Sequence, residues 1–290
     1  TMGEDFLVAP IYQNTDGDDA NKGLGDGNDV RNGIYLPGGK DTIWIDYFSG
    51  KQYRGGQVLN NFDAPLWKLP VFVKANAIVP MYESNNNPED VDRSIRNVEF
   101  FATEGKNEYT LFEDTGTYVE NKTNESDKAY GKESTISYGS NVKTTFKSEA
   151  KGGSATFTAG KSEGTYDGYK KDRTTTFIVN VSEEPQSVVA KNGDTVLTQK
   201  KVDSQEAFDK AVPAEGEVIY FYNTKPNLNY NATAESEAVR NESFSKQEVA
   251  TTPKLYVKFA KTDVQANEQT LTVTGFKNDG KLPSDEVKKD

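Results

Sequence analysis

The sequence predicts an all-β protein: two antiparallel β-sandwich-type domains plus a small C-terminal β extension. Three observations carry this. Apolar residues come in short runs bounded by Gly, Asn, Asp and Pro. Many of those runs alternate polar with apolar at a period of two, as a strand does when one face meets a core and the other meets water. No long stretch carries the apolar stripe of an amphipathic helix.

The elements follow in order. Residues 1–93 form the first expected domain, with "FLVAPIY", "NGIYLP", "TIWIDYF" and "LPVFVKANAIVPM" as strands. "PGGK" at 37–40 and "SGKQYRGG" at 49–56 supply turns in which glycine can take a positive φ. The polar stretch "ESNNNPEDVDRS" at 83–94 leads to a second domain, residues 94–224. Its strands read as "IRNVEFFA", "NEYTLFED", "STISYGS", "NVKTTFKS", "SATFTAG", "TTTFIVNVS" and "GEVIYFYN". "KNGDT" at 191–195 carries Asn-Gly, the strongest short hairpin signal. The one expected helix is "SQEAFDKAV" at 204–212, with Ser204 as its N-cap. Residues 225–290 read as a polar linker, two further strands and a charged tail.

Composition narrows the chemistry. The 290 residues contain no His and no Cys. Ser-His-Asp and Cys-His catalysis, imidazole or thiolate metal sites and disulfides are thereby excluded. Carboxylates, Lys, Tyr and Arg remain. A net charge of -11 repels nucleic acid and leaves neutral sugars unaffected. No run approaches the ~18 apolar residues of a membrane span.

The motif order over the first ninety residues is more specific than the strand pattern. "GEDFLVAPIY" is followed by "GIYLPGG", "WIDYFSGKQYRGGQ" and "FDAPLWKLPVFVKANAIVPM". This succession resembles glycoside hydrolase family 31, the α-glucosidase and α-xylosidase family, where it builds the proximal C-terminal β-domain after a catalytic (β/α)8 barrel. "YTLFEDTGTYVENKTNESDKAYGKESTIS", 109–137, resembles the start of that family's distal β-domain, with Thr115 where a second Asp is common. The resemblance spans residues 3–222, and 225–290 match nothing. It implies retaining hydrolysis of α-glycosides by two carboxylates about 5–5.5 Å apart, both Asp residues on barrel strands that would precede Gly3. No catalytic, cofactor or metal residue is therefore assigned. The chain is expected to be a C-terminal fragment that braces its barrel and is inert alone. Its parent would act on an α-glucan or oligosaccharide in carbohydrate metabolism. Three alternatives stay open: a carbohydrate-binding module for α-glucans, a parent that is an α-glucosyltransferase, and an adhesive surface protein of stacked β-domains. An extracellular or cell-surface bacterial location is expected from the spacer-like tail, and the cytoplasm is also compatible.

Local candidates each have a plainer reading. Glu4 and Asp5 could support an active-site face, but read better as turn acids. Glu113 and Asp114 are consecutive, so on a strand they point to opposite faces and cannot flank one bond. Trp44, Tyr47, Tyr53 and Trp67 could stack on sugars, yet their spacing favours a core between sheets or domains. Asp16, Asp18, Asp19, Asp26 and Asp29 crowd the loop 14–29, which could hold calcium but lacks an EF-hand's terminal Glu. Asn121 and Asn231 head glycosylation sequons that matter only in a eukaryotic secretory pathway. Tyr166 and Tyr169 in "GTYDGYKKD" look exposed and motivate the binding-module alternative.

Overall fold

The computed structural model describes residues 1–10, 30–60, 62–63, 69–83, 87–116, 118–120, 136–226 and 252–279. The first domain contains β1 (Phe6–Val8), β2 (Val30–Arg31), β3 (Ile34–Leu36), β4 (Ile43–Asp46), β5 (Gln52–Arg54), β6 (Gln57–Leu59), β7 (Phe62–Asp63) and β8 (Val71–Lys74). Strands β1, β8, β4 and β5 make an antiparallel sheet in that order, and β3–β6 and β2–β7 form two ribbons. One sheet face buries Leu7, Trp44 and Phe72 against Ile34, Leu36 and Phe62 from the ribbons. The Phe62 and Phe72 rings meet at 5.1 Å. Trp44 Nε1 donates to the Pro37 carbonyl at 2.9 Å, so its one polar atom is satisfied inside the core.

The remainder is a two-sheet sandwich. Its elements are β9 (Ile78–Met81), β10 (Ile95–Phe100), β11 (Gly105–Glu113), β12 (Tyr118–Glu120), β13 (Ile136–Tyr138), β14 (Val142–Lys151), β15 (Ser154–Ala159), β16 (Glu163–Gly164), β17 (Asp172–Asn180), β18 (Ser187–Asn192), β19 (Thr195–Val196), β20 (Thr198–Lys201), α1 (Gln205–Lys210), β21 (Glu217–Asn223), β22 (Lys254–Phe259), β23 (Thr262–Asp263) and β24 (Gln269–Thr274). One sheet runs β20-β21-β22-β17-β10-β9, and the facing sheet runs β11-β14-β15-β24-β18-β19. The pairs β10–β17 and β20–β21 are parallel, and the other described strand pairs are antiparallel as expected. Val98, Phe100, Phe177, Val179, Val257 and Phe259 from the first sheet meet Phe146, Phe157, Leu271 and Val273 from the second. Phe100 lies 4.8 Å from Phe157 and 5.2 Å from Phe177, ring to ring.

Two expected boundaries are corrected. Strand β9, placed in the first domain by sequence, pairs with β10 as an edge of the sandwich. The C-terminal strands are not a separate extension. Strand β22 lies between β21 and β17, and β24 lies between β15 and β18. The reason is burial: Leu255, Val257, Leu271 and Val273 fill the middle of the common core. Without these strands both sheets would be split. The Asn-Gly hairpin forms as expected, with Asn192 paired to Thr195 and Gly193 at a φ of 57°. The helix covers 205–210 rather than 204–212, capped by Ser204 Oγ accepting from Ala207 N–H at 3.1 Å.

Candidate functional site at the domain junction

The outer face of the β20–β9 sheet is not open to water. At one end Phe208 of α1 packs on Ile219 and Tyr256. Lys258 Nζ donates to the carbonyls of Phe208, Asp209 and Ala211, closing the helix C-terminus. At the other end the first domain covers the sheet. Its second face, Ile45 and Val73, packs with Ala77 and Phe101, and Tyr47 approaches Phe101 at 5.9 Å.

A charged pair sits at this junction. Glu99 of β10 and Lys254 of β22 form a salt bridge with side chains only 2% and 4% exposed. Asn180 Nδ2 donates to the same Glu99 oxygen at 3.0 Å and to the Phe100 carbonyl at 3.1 Å. Tyr47 hydroxyl approaches Glu99 Oε2 at 3.5 Å, and Lys254 Nζ lies 5.3 Å from the Tyr47 ring. Three strands of the sandwich and one turn of the first domain thus converge on one buried carboxylate. Around it the backbone is tied across the boundary. Asn76 N–H donates to Phe101 O, Gln52 Nε2 donates to Asn278 O at 3.1 Å, and Asn278 Nδ2 donates to Ala102 O. Gly50, at a φ of 68°, allows the turn after β4 to lie against Thr252.

A second buried cluster lies inside the sandwich. Arg173 Nη1 donates to both oxygens of Glu113, at 3.0 and 3.1 Å, and Tyr82 hydroxyl donates to the same carboxylate. Burial and then the bond to Glu113 push the Tyr82 phenol well above its usual range.

The expected candidates now have places. Glu4 and Asp5 occupy the turn before β1, and burial raises the Asp5 carboxyl above its usual value despite nearby Lys74. Glu113 is engaged by Arg173, whereas Asp114 Oδ1 accepts from Gly116 N–H at 2.7 Å in a local turn, so the two carboxylates do diverge. Trp44 is core, Tyr53 packs 5.9 Å from Phe72, and Tyr47 serves the junction. Trp67, the loop 14–29 with its five Asp residues, and the sequons at Asn121 and Asn231 lie outside the described residues. Tyr166 is corrected: it is 6% exposed, with its ring 5.3 Å from that of half-buried Tyr169. Tyr166 therefore does not present an exposed ring. Glu99, Lys254, Arg96 and Arg173 were not singled out from sequence. The signal for the arginines was parity, since Arg96 shares its strand face with Val98 and Phe100.

Residues 1–79 match the glycosyl hydrolase family 31 C-terminal domain. A 1,6-alpha-glucosyltransferase of Sporosarcina globispora is 29% identical over 136 residues, which is 46% of this chain and 9% of that protein. A family 31 dextranase of Flavobacterium johnsoniae, solved with glucose, superposes with a TM-score of 0.54 at 20% identity, over 94% of this chain and 26% of that one. The cycloalternan-forming enzyme of Listeria monocytogenes, solved with a pentasaccharide substrate, gives 0.51 at 21% identity, over 94% and 18%. The chain therefore spans a quarter or less of the proteins it is similar to, apart from a marginally larger share of the dextranase. Residues 1–79 thus match the glycosyl hydrolase family 31 C-terminal domain, and the chain as a whole shares its fold with a solved family 31 dextranase.

Proposed function

We propose that this chain is the non-catalytic C-terminal part of a retaining α-glycosidase and that it braces the catalytic barrel. The observation that supports this best is the junction. The matched domain packs on the sandwich through an apolar cluster, and its Tyr47 and Gln52 reach the buried Glu99–Lys254 pair and Asn278, so the two would bear on a neighbouring domain as one support. The parent would cleave α-linked glucosides in a retaining site. The assay is release of glucose from isomaltose, maltose and p-nitrophenyl α-glucoside by the 290-residue chain and by the parent. Activity only in the parent is expected, and turnover by the chain alone overturns the reading.

A second reading, that the parent transfers rather than hydrolyses α-glucosyl groups, is favoured by the glucosyltransferase relative. Chromatography of products from maltose or isomaltooligosaccharides separates the two: longer oligosaccharides mean transfer, glucose alone means hydrolysis. An extracellular or surface location belongs to the same proposal, and fractionation of the source cells tests it.

A further inference from the structure

Among the described residues, the interior of the sandwich holds more positive charge than its carboxylates answer. Arg96 on β10 and Arg173 on β17 both point between the sheets, and their residues are 2% and 0% exposed. Glu113 is the carboxylate facing them, and both of its oxygens bond Arg173 Nη1. Arg96 donates through Nη2 to Thr175 Oγ1 at 3.1 Å, and its guanidinium lies 5.2 Å from the Phe146 ring. The buried atoms Arg96 Nε and Nη1, Arg173 Nη2, and the hydroxyls of Tyr166 and Tyr169 find no hydrogen-bond partner among the described residues. Arg96 lies opposite Thr175, two residues from Arg173 on the same strand face. The Arg173 guanidinium lies 4.7 Å from the Tyr169 ring, and that ring lies 5.3 Å from Tyr166. Burial, and then repulsion from Arg173, lowers the Arg96 guanidinium to about 10. A buried, unanswered cation is costly, and buried donors without acceptors are rare in folded proteins.

The chemistry of these groups specifies what would satisfy them. Each can donate, so the ligand accepts hydrogen bonds. Among the described residues two guanidiniums face one carboxylate, Glu113, which leaves one positive charge, so the ligand carries one negative charge. Its surroundings are the packed interior beside Phe146, so it is small. Water would satisfy the donors and leave the charge uncompensated. We propose that Arg96, Arg173, Tyr166 and Tyr169 hold a small monovalent inorganic anion of the chloride class as a structural ion inside the sandwich. With it bound, two cations face two anions, and the Tyr166–Tyr169 turn is fastened over the sandwich end.

The test uses the full 290-residue chain at fixed pH and ionic strength, melted in sodium chloride, sodium bromide or sodium gluconate. Chloride and bromide should raise Tm saturably, by about 3–6 °C at ten times the dissociation constant, and gluconate should not. Arg96→Met should abolish the dependence on chloride. Because that variant could fail to fold, crystals of the unaltered chain grown in bromide supply a second readout: an anomalous peak between Arg96 and Arg173 is expected. A Tm independent of chloride, a chloride effect that survives in folded Arg96→Met, or ordered water in place of the bromide peak would each overturn the proposal.

Discussion

Replacing Lys254 by Met should be among the most damaging single changes at the junction. Lys254 and Glu99 are both almost wholly buried. Removing the ammonium leaves the carboxylate with one amide hydrogen bond, from Asn180 at 3.0 Å, and a long approach from Tyr47 at 3.5 Å. Breaking one side of such a pair costs about 3–5 kcal/mol, because the partner stays buried and charged. For a chain of this size that lowers Tm by about 10 °C. The surface provides a control: Lys210 and Glu206 on α1 are 74% and 77% exposed, and Lys210→Met should cost no more than about 0.5 kcal/mol. Urea unfolding followed by circular dichroism measures both. The double variant Glu99→Met/Lys254→Met should recover most of the loss, since removing both charges together leaves none stranded. The reasoning fails if Lys254→Met is as mild as Lys210→Met, or if the double variant is no more stable than the single one.

Other expectations follow from the same structure. Gly50→Ala would set a Cβ 1.7 Å from Thr252 Oγ1 at a positive φ, and should cost about 2–3 kcal/mol by urea melts. Gly152→Ala, equally positive in φ at 58° but with nothing within 4 Å, should lose only the backbone part. Leu271→Ala removes a fully buried side chain from β24 and should cost about 2–5 kcal/mol, and a chain ending at residue 224 should give no cooperative unfolding transition. Burial holds the Tyr82 and Tyr53 phenols above their ordinary value. From about pH 10 upward the unfolded chain therefore releases protons that the folded chain keeps, and stability must fall as pH rises. Tyr82→Phe should flatten that alkaline loss in urea midpoints taken at about pH 9 and pH 11.

The sequence disclosed local structure far better than partnership. In β14 the alternation Val142, Thr144, Phe146, Ser148, Ala150 is the buried face, as a period of two requires. Ser204 marked the start of α1 because a hydroxyl there answers a free N–H. Partnership is a long-range property. Nothing local to "KLYVKF" shows that it lies between β17 and β21, and a polar stretch ahead of it made it read as an appendage. The junction was hidden for a related reason. Glu99 belongs to the strand face opposite Val98 and Phe100, which looks solvent-facing until another domain covers it. The apparent exposure of Tyr166 failed likewise: a Gly-rich, charged neighbourhood reads as surface, while the ring itself turns inward against Tyr169.

The placement of β22 and β24 also bears on how the chain is made. Synthesis runs from N- to C-terminus, yet the sandwich cannot close until residues 254–274 have left the ribosome. Until then β17 lacks its neighbour on one side, β15 and β18 lack the strand between them, and the faces bearing Phe157, Phe177 and Val179 have no finished core to enter. Strands that pair across such sequence distances form slowly, and their unpaired edges invite association with other chains. For the interval between translation of β17 and of β24, the emerging protein exposes unpaired strand edges, and its yield in a host should depend on how long that interval lasts.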